Sequence, residues 1–177
     1  MRDVPGLSYE MGGEQREQKR ILSNLGRGFS LALFGMFALL AVAFRSYIQP
    51  LIVLLAIPYG MVGALVGHVL LGYSLSLMSM MGLVALSGVV VNDSIVFVDA
   101  VNEFRRQGIS LEESLVLAGT RRFRPILLTS LTTFFGVMPM IAERSLQARF
   151  LIPMTISLGF GVLFATFITL LVVPVYY

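Results

Sequence analysis

The sequence predicts an all-α, polytopic transmembrane helical bundle, and three observations carry that prediction. Apolar types make up 56% and charged types 13% of the 177 residues, with a mean hydropathy of +0.85, against about 25% charge in an average soluble domain. A chain this short has too much surface for its volume to hide that apolar area from water, which also excludes disorder. The apolar residues gather in five stretches that pass the bilayer test of about 20 residues at ~1.5 Å rise each. None shows the strict alternation and ~10-residue length of barrel strands, so all five read as helices.

The first 24 residues are polar and of mixed charge, so no signal peptide precedes the first apolar run. Gly6-Leu7-Ser8-Tyr9-Glu10-Met11 has the look of a strand end, and Val175-Tyr176-Tyr177 is still apolar. Both ends therefore read as cuts within a longer chain. Span one, residues 28–44, is bracketed by Arg27 and Arg45 and reaches about 26 Å as a helix. Span two, 47–71, contains Pro50, suited to a first helical turn, and Pro58. Spans three, four and five cover 75–98, 123–142 and 150–177. The links at 45–50, Gly72-Tyr73-Ser74 and 143–149 are short, which forces neighbouring helices antiparallel.

The long link, 102–122, holds more. Gly108 ends a helix, Ser110 and Glu113 form a capping box, and Leu111, Leu115 and Ala118 share one face. A surface helix over 110–118 follows, lying along the membrane before Gly119 turns the chain into span four. Arg105, Arg106, Arg121, Arg122 and Arg124 flank this link, against Arg144 and Arg149 on the link between spans four and five. The positive-inside rule then places 102–122 in the cytoplasm and the amino-terminal stretch outside.

Asp93 is the outstanding polar residue, in Val91-Asn92-Asp93-Ser94 of span three, roughly 8 Å from the midplane. A carboxylate there costs about 2.5–3.5 kcal/mol unless it is partnered or on a wet path. It is either a neutral acid that glues helices together or a member of a proton or ion path. Asp99, two turns on, reads as an interfacial anchor. Arg124 at the mouth of span four either snorkels or approaches a carboxylate on a neighbouring helix. Thr129, Ser130, Thr132 and Thr133 give span four an unusual hydroxyl content; they either bond along their own helix or relay protons from the shared face of Thr129, Thr132 and Thr133. Gly60, Gly63 and Gly67 in span two, and Gly82, Ser87 and Gly88 in span three, are spaced as helix-packing residues. His68 reads as an interfacial polar residue and a poor metal ligand, since no cysteine or second histidine accompanies it.

Arginine clusters flank apolar runs instead of striping a soluble face, so no nucleic-acid partner is expected. Zero cysteines remove disulfide and thiolate chemistry. No phosphate loop, catalytic triad, zinc spacing or cofactor motif is present, and the ten methionines read as soft packing residues. One buried acid beside a hydroxyl-rich helix favours transport over enzymology. The alternative is a non-transporting membrane assembly or structural module. An intramembrane protease would need a second acid or a Ser–His pair.

The chain resembles the carboxy-terminal membrane half of the resistance–nodulation–division efflux permeases. The resemblance rests on Phe44-Arg45-Ser46-Tyr47-Ile48-Gln49-Pro50-Leu51, Ile57-Pro58-Tyr59-Gly60 and Met81-Gly82-Leu83-Val84-Ala85-Leu86-Ser87-Gly88-Val89-Val90-Val91-Asn92-Asp93-Ser94. It continues through Arg121-Arg122-Phe123-Arg124-Pro125-Ile126-Leu127-Leu128-Thr129-Ser130 and Glu143-Arg144-Ser145-Leu146-Gln147-Ala148. It implies that residues 27–177 form a fragment of the transporter's transmembrane domain, matching its eighth to twelfth helices. Residues 1–26 would be the tail of an extracytoplasmic porter domain and the entry to the first span. It further implies a proton-driven exporter of amphiphilic compounds or drugs in the bacterial inner membrane, with no cofactor beyond the proton gradient. The implied partners are the remaining half of the same permease, two further copies in a homotrimer, a periplasmic adaptor, an outer-membrane channel and the lipid bilayer. The segment alone is then expected to be inactive. Asn92 matches a position where the best-known members carry a lysine, Arg124 matches a family arginine, and Thr129 and Ser130 fall in a matching hydroxyl-bearing turn. Asn92 cannot supply a cation, and Asp93 adds an acid beside it, so the charge balance of the implied relay differs from that of the lysine-bearing members.

Overall fold

The computed structural model describes residues 13–143 and 145–177. The strand expected at Gly6 to Met11, and Arg144, lie outside them. Six helices follow in order: α1 (Glu14–Phe44), α2 (Ile48–Leu54), α3 (Ala56–Leu71), α4 (Leu77–Arg106), α5 (Leu111–Ala142) and α6 (Leu146–Tyr176). No strand occurs among the described residues. Five candidate spans result, Arg16–Phe44, Ile48–Leu71, Leu77–Arg106, Leu111–Ala142 and Ala148–Leu171, with α2 and α3 together making the second.

Local chemistry sets the boundaries. Arg45 closes α1 in the left-handed conformation (φ 52°), its N–H donating to the Ala41 carbonyl. The Ser46 hydroxyl then accepts from the N–H groups of Ile48 and Gln49, starting α2. Pro58 has no N–H to return to Leu54, and the helix breaks at Leu55 between α2 and α3. Gly72 (φ 70°) closes α3. Ser76 and Ser79 cap α4 reciprocally, each side chain accepting from the other's backbone N–H.

Two expectations about span limits change. Helix α1 starts at Glu14, well before residue 28, because nothing helix-breaking intervenes: Gly26 and Gly28 have open space around them and are carried within the helix. The separate surface helix over 110–118 is also absent. Ser110 does cap a helix, its hydroxyl accepting from the Glu113 N–H, but α5 continues unbroken through Gly119 and Pro125 to Ala142. The reason lies in packing. Ser114, Ala118, Ile126 and Ser130 are buried and spaced in multiples of four. They form one stripe crossing the expected turn, so Ala118 of the face assigned to the membrane surface is spent against protein. A glycine inside a helix costs only about 1 kcal/mol relative to alanine, which that burial offsets.

Helix α6 is the hub, packing against α3, α4 and α5. It runs antiparallel to α3, with Gly60 beside Ala165, Gly63 beside Phe164 and Gly67 beside Phe160. It runs parallel to α4, with Gly82 beside Met154 and Leu86 beside Gly161, and antiparallel to α5, with Phe134 beside Gly159 and Ser130 beside Thr166. The α3 glycines therefore lie at a helix contact too close for a Cβ at Gly63 or Gly67. Gly88 does not: nothing lies within 4 Å of its Cβ position. It shares the exposed side of α4 with Ala85 and Asn92, three and four residues away, turned from the side that carries Gly82 and Leu86.

Candidate functional site

The five candidate relay residues, Asp93, Asn92, Arg124, Thr129 and Ser130, divide into two sets by exposure. Asp93 on α4 and Ser130 on α5 are buried, at 9% and 1% exposure; Asn92, Arg124 and Thr129 are exposed. Helix geometry explains the division. Adjacent residues point about 100° apart, so Asp93 shares the inward side of α4 with Val90 and Phe97 while Asn92 turns out. Ser130 shares the inward side of α5 with Ile126 while Thr129 turns out.

The Ser130 hydroxyl lies near the Asp93 carboxyl, and its hydrogen bonds go to α5 and α6. It lies 2.9 Å from the Ile126 carbonyl and 2.5 Å from the Thr166 hydroxyl of α6. Thr166 in turn lies 2.8 Å from the Val162 carbonyl and is 4% exposed. Ser130 of α5 and Thr166 of α6 thus meet in the interior, where Asp93 of α4 is also buried. Ser94, next to Asp93, turns back to the Val90 carbonyl at 2.9 Å.

Asp93, Arg124 and Thr129 do not share one face. Asp93 points into the chain's own core. Arg124 and Thr129 are both exposed, but five residues apart they stand about 140° from each other around α5. The hydroxyl track along span four is likewise engaged locally. Thr129, Thr132 and Thr133 donate to the carbonyls of Ile126, Leu128 and Thr129 at 2.7–2.8 Å. In the third turn of α5, Arg121 pairs with Glu103 of α4 at 3.6 Å and stands over the Phe104 ring. Asp99 is exposed one turn before Glu103.

Several polar residues escape sequence reasoning. Thr166 stands in an apolar run, and only the crossing of α6 over α5 gives it a partner outside its own helix. His68, in the last turn of α3, is 2% exposed and buried within the protein. Its Nδ1 lies 2.9 Å from the Ala64 carbonyl and its Nε2 lies 2.8 Å from the Ser79 hydroxyl. A carbonyl can only accept, so this pairing assigns the proton to Nδ1 and makes Nε2 the acceptor from Ser79. A third network joins the ends of α2, α4 and α6: Gln49 Nε2 donates to Asn102 Oδ1 and Tyr177 Oη, and Asn102 Nδ2 donates to Gln49 Oε1. Among the described residues, no three His, Asp or Glu side chains come together as a metal site.

The AcrB/AcrD/AcrF family matches residues 2–177. The chain is similar to the swarming motility protein SwrC of Bacillus subtilis (strain 168), at 31% identity over 97% of this chain and 16% of SwrC. Among solved structures it is similar to a heavy metal efflux pump in two crystal forms. One superposes with a TM-score of 0.83 at 28% identity, over 96% of this chain and 18% of the pump. The other gives 0.79 at 29% identity, over 97% and 17%. The chain therefore spans less than a fifth of the length of the proteins it matches. Its five apolar helices make it multi-pass and membrane-embedded, and it belongs to the AcrB/AcrD/AcrF family, within the resistance–nodulation–division efflux transporters.

Proposed function

We propose that this chain is the second-half membrane portion of a proton-driven permease that exports amphiphilic compounds across the bacterial inner membrane. The complete permease works as a trimer with a periplasmic adaptor and an outer-membrane channel. The segment between α4 and α5 faces the cytoplasm, in keeping with its arginine bias. Asp93 is the protonatable group of this half, and Ser130 lies near it.

The observation that carries the reading is the unequal cover of polar groups on α4 and α5. Asn92, Arg124 and Thr129 stand exposed on helices that cross a membrane. Polar side chains at that depth are tolerated against protein or water and poorly against lipid. The rest of the permease supplies that protein, because alternating-access transporters work one repeat against another. Meanwhile the one acid at this depth is turned into the bundle interior, where an intramembrane carboxylate is tolerated.

Export by inverted membrane vesicles containing the complete permease tests the proton drive. An amphiphilic dye is expected to move only while a pH gradient stands, and an uncoupler is expected to stop it. Dye movement that continues at full rate after the gradient collapses contradicts the proposal.

A further inference from the structure

The second half of α1 carries two faces. Phe29, Leu33, Met36, Leu40 and Phe44 pack into the bundle core. Turned about 100° from them, Phe34, Ala38, Ala41 and Arg45 follow at spacings of four, three and four. These four line a cavity of about 500 Å³ on the outer side of the helix. Small side chains at 38 and 41 leave the hollow, and the Phe34, Phe37 and Tyr47 rings wall it. The left-handed backbone at Arg45 turns the chain, so that Ser46 and Tyr47 close its end.

The closed end is polar and positive. Gln49 pairs with Asn102 near the end of α4, so this is the end of the bundle that carries the arginines of the α4–α5 link. Tyr47 is 77% exposed, an aromatic of the kind that meets lipid head groups. The Arg45 side chain has no ion pair or hydrogen bond among the described residues. No Asp or Glu occurs between Glu17 and Asp93, so α2, α3 and the membrane part of α1 offer it no counter-charge. The Ser46 hydroxyl accepts from the N–H groups of Ile48 and Gln49 and keeps its own proton to donate.

Length and charge together name the occupant. From Phe34 to Arg45 the chain rises about 16 Å, close to half of the ~30 Å hydrocarbon core. That is the depth of one leaflet, so a lipid with its head group at Arg45 reaches Phe34 with its acyl chain. A guanidinium grips two oxygens of a phosphate at once. A zwitterionic lipid would also bring an ammonium beside Arg45, and no carboxylate lines the cavity to receive it. An anionic lipid brings no second cation. The hollow accepts any acyl chain; the charge selects the head group.

We infer that the outer hollow of α1 binds one anionic phospholipid, with Arg45 and Ser46 on its phosphodiester and its acyl chain against Ala38 and Ala41. The site is separate from Asp93, Ser130 and Thr166, none of which lines it. It adds cover to the span that the chain itself covers least, a helix whose neighbours within the chain are α2 and α4 alone among the described residues.

Photo-crosslinking of the complete permease in phosphatidylcholine vesicles tests this. The vesicles carry a trace of lipid with a diazirine in its acyl chain, its head group either phosphatidylglycerol or phosphatidylethanolamine. Labelled peptides are mapped by mass spectrometry, with labelling elsewhere in the permease as the reference. Labelling of residues 34–47 is expected to be about fivefold greater with the glycerol head group, the ratio that ~1 kcal/mol of attraction to one arginine gives. Arg45→Gln is expected to bring the two head groups level, and Arg45→Lys to keep a preference. Ala38→Phe, which fills the hollow at an exposed position, is expected to remove labelling of this segment by either lipid while the thermal midpoint stays unchanged. Equal labelling by the two head groups in the wild type overturns the inference, because the hollow then takes any surrounding lipid. A preference that survives Arg45→Gln overturns the role of Arg45. No labelling of residues 34–47 by either lipid overturns the site, because another part of the permease then covers it.

Discussion

Asp93→Asn is expected to abolish transport by the complete permease while its abundance in the membrane stays near that of the wild type. Asparagine has the size of aspartate and keeps an oxygen able to accept from the Ser130 hydroxyl, so the packing around Val90 and Phe97 is undisturbed. What it lacks is a second protonation state. A group required for proton transfer supplies roughly a hundredfold or more in rate, so drug susceptibility should return to that of cells without the pump. Asn92→Ala should do less, because Asn92 is exposed whereas Asp93 is buried in the bundle. If Asp93 only glued helices together, Asp93→Asn would retain most of its hydrogen bonding and transport would persist at matched protein levels.

The second large effect is structural. Gly82→Val is expected to prevent α4 from seating on α6. A Cβ at Gly82 would lie 2.5 Å from the Met154 carbonyl oxygen and 2.8 Å from the Ser157 Cβ. The first of these is backbone and cannot rotate away. Overpacking typically costs about 1–3 kcal/mol where side chains can adjust, and here the helices themselves must separate. The polar cluster two to three turns along would be pulled apart with them. Gly119→Ala is the control: nothing lies within 4 Å of that position in α5, and alanine is the better helix former by about 1 kcal/mol. Thermal unfolding in detergent should show a strongly lowered midpoint or no folded protein for Gly82→Val, and an unchanged or raised midpoint for Gly119→Ala. Equal midpoints would contradict the packing scheme.

The five spans are legible in the sequence because membrane crossing is a local property, set by about 20 apolar residues in a row. Ser110 as a cap and Pro58 as a break are legible for the same reason, since each acts on backbone groups within four residues. Continuity of α5 is not, because Gly119 and Pro125 signal a break. The opposing signal, burial of Ser114, Ala118, Ile126 and Ser130, requires knowing which helices pack there. The candidate site is half legible. An acid inside a span marks itself by its cost, and Ser130 is visible as one hydroxyl among several. Thr166 and the turning of Asp93 away from Arg124 and Thr129 depend on where α6 sits, and no local pattern encodes that. His68 illustrates the same limit. It reads as a surface residue until the return of the chain at Gly72 brings Ser79 to its ring.

The central claim is that Asp93 couples proton movement to export, and substrate-dependent proton flux in proteoliposomes of the complete permease tests it most directly. With a pH-sensitive dye trapped inside, adding an amphiphilic substrate to wild-type vesicles under a pH gradient is predicted to accelerate dissipation of the gradient. The same addition to Asp93→Asn vesicles, with equal protein reconstituted, is predicted to leave the basal leak unchanged. Substrate-stimulated proton flux in Asp93→Asn equal to that of the wild type would contradict the account.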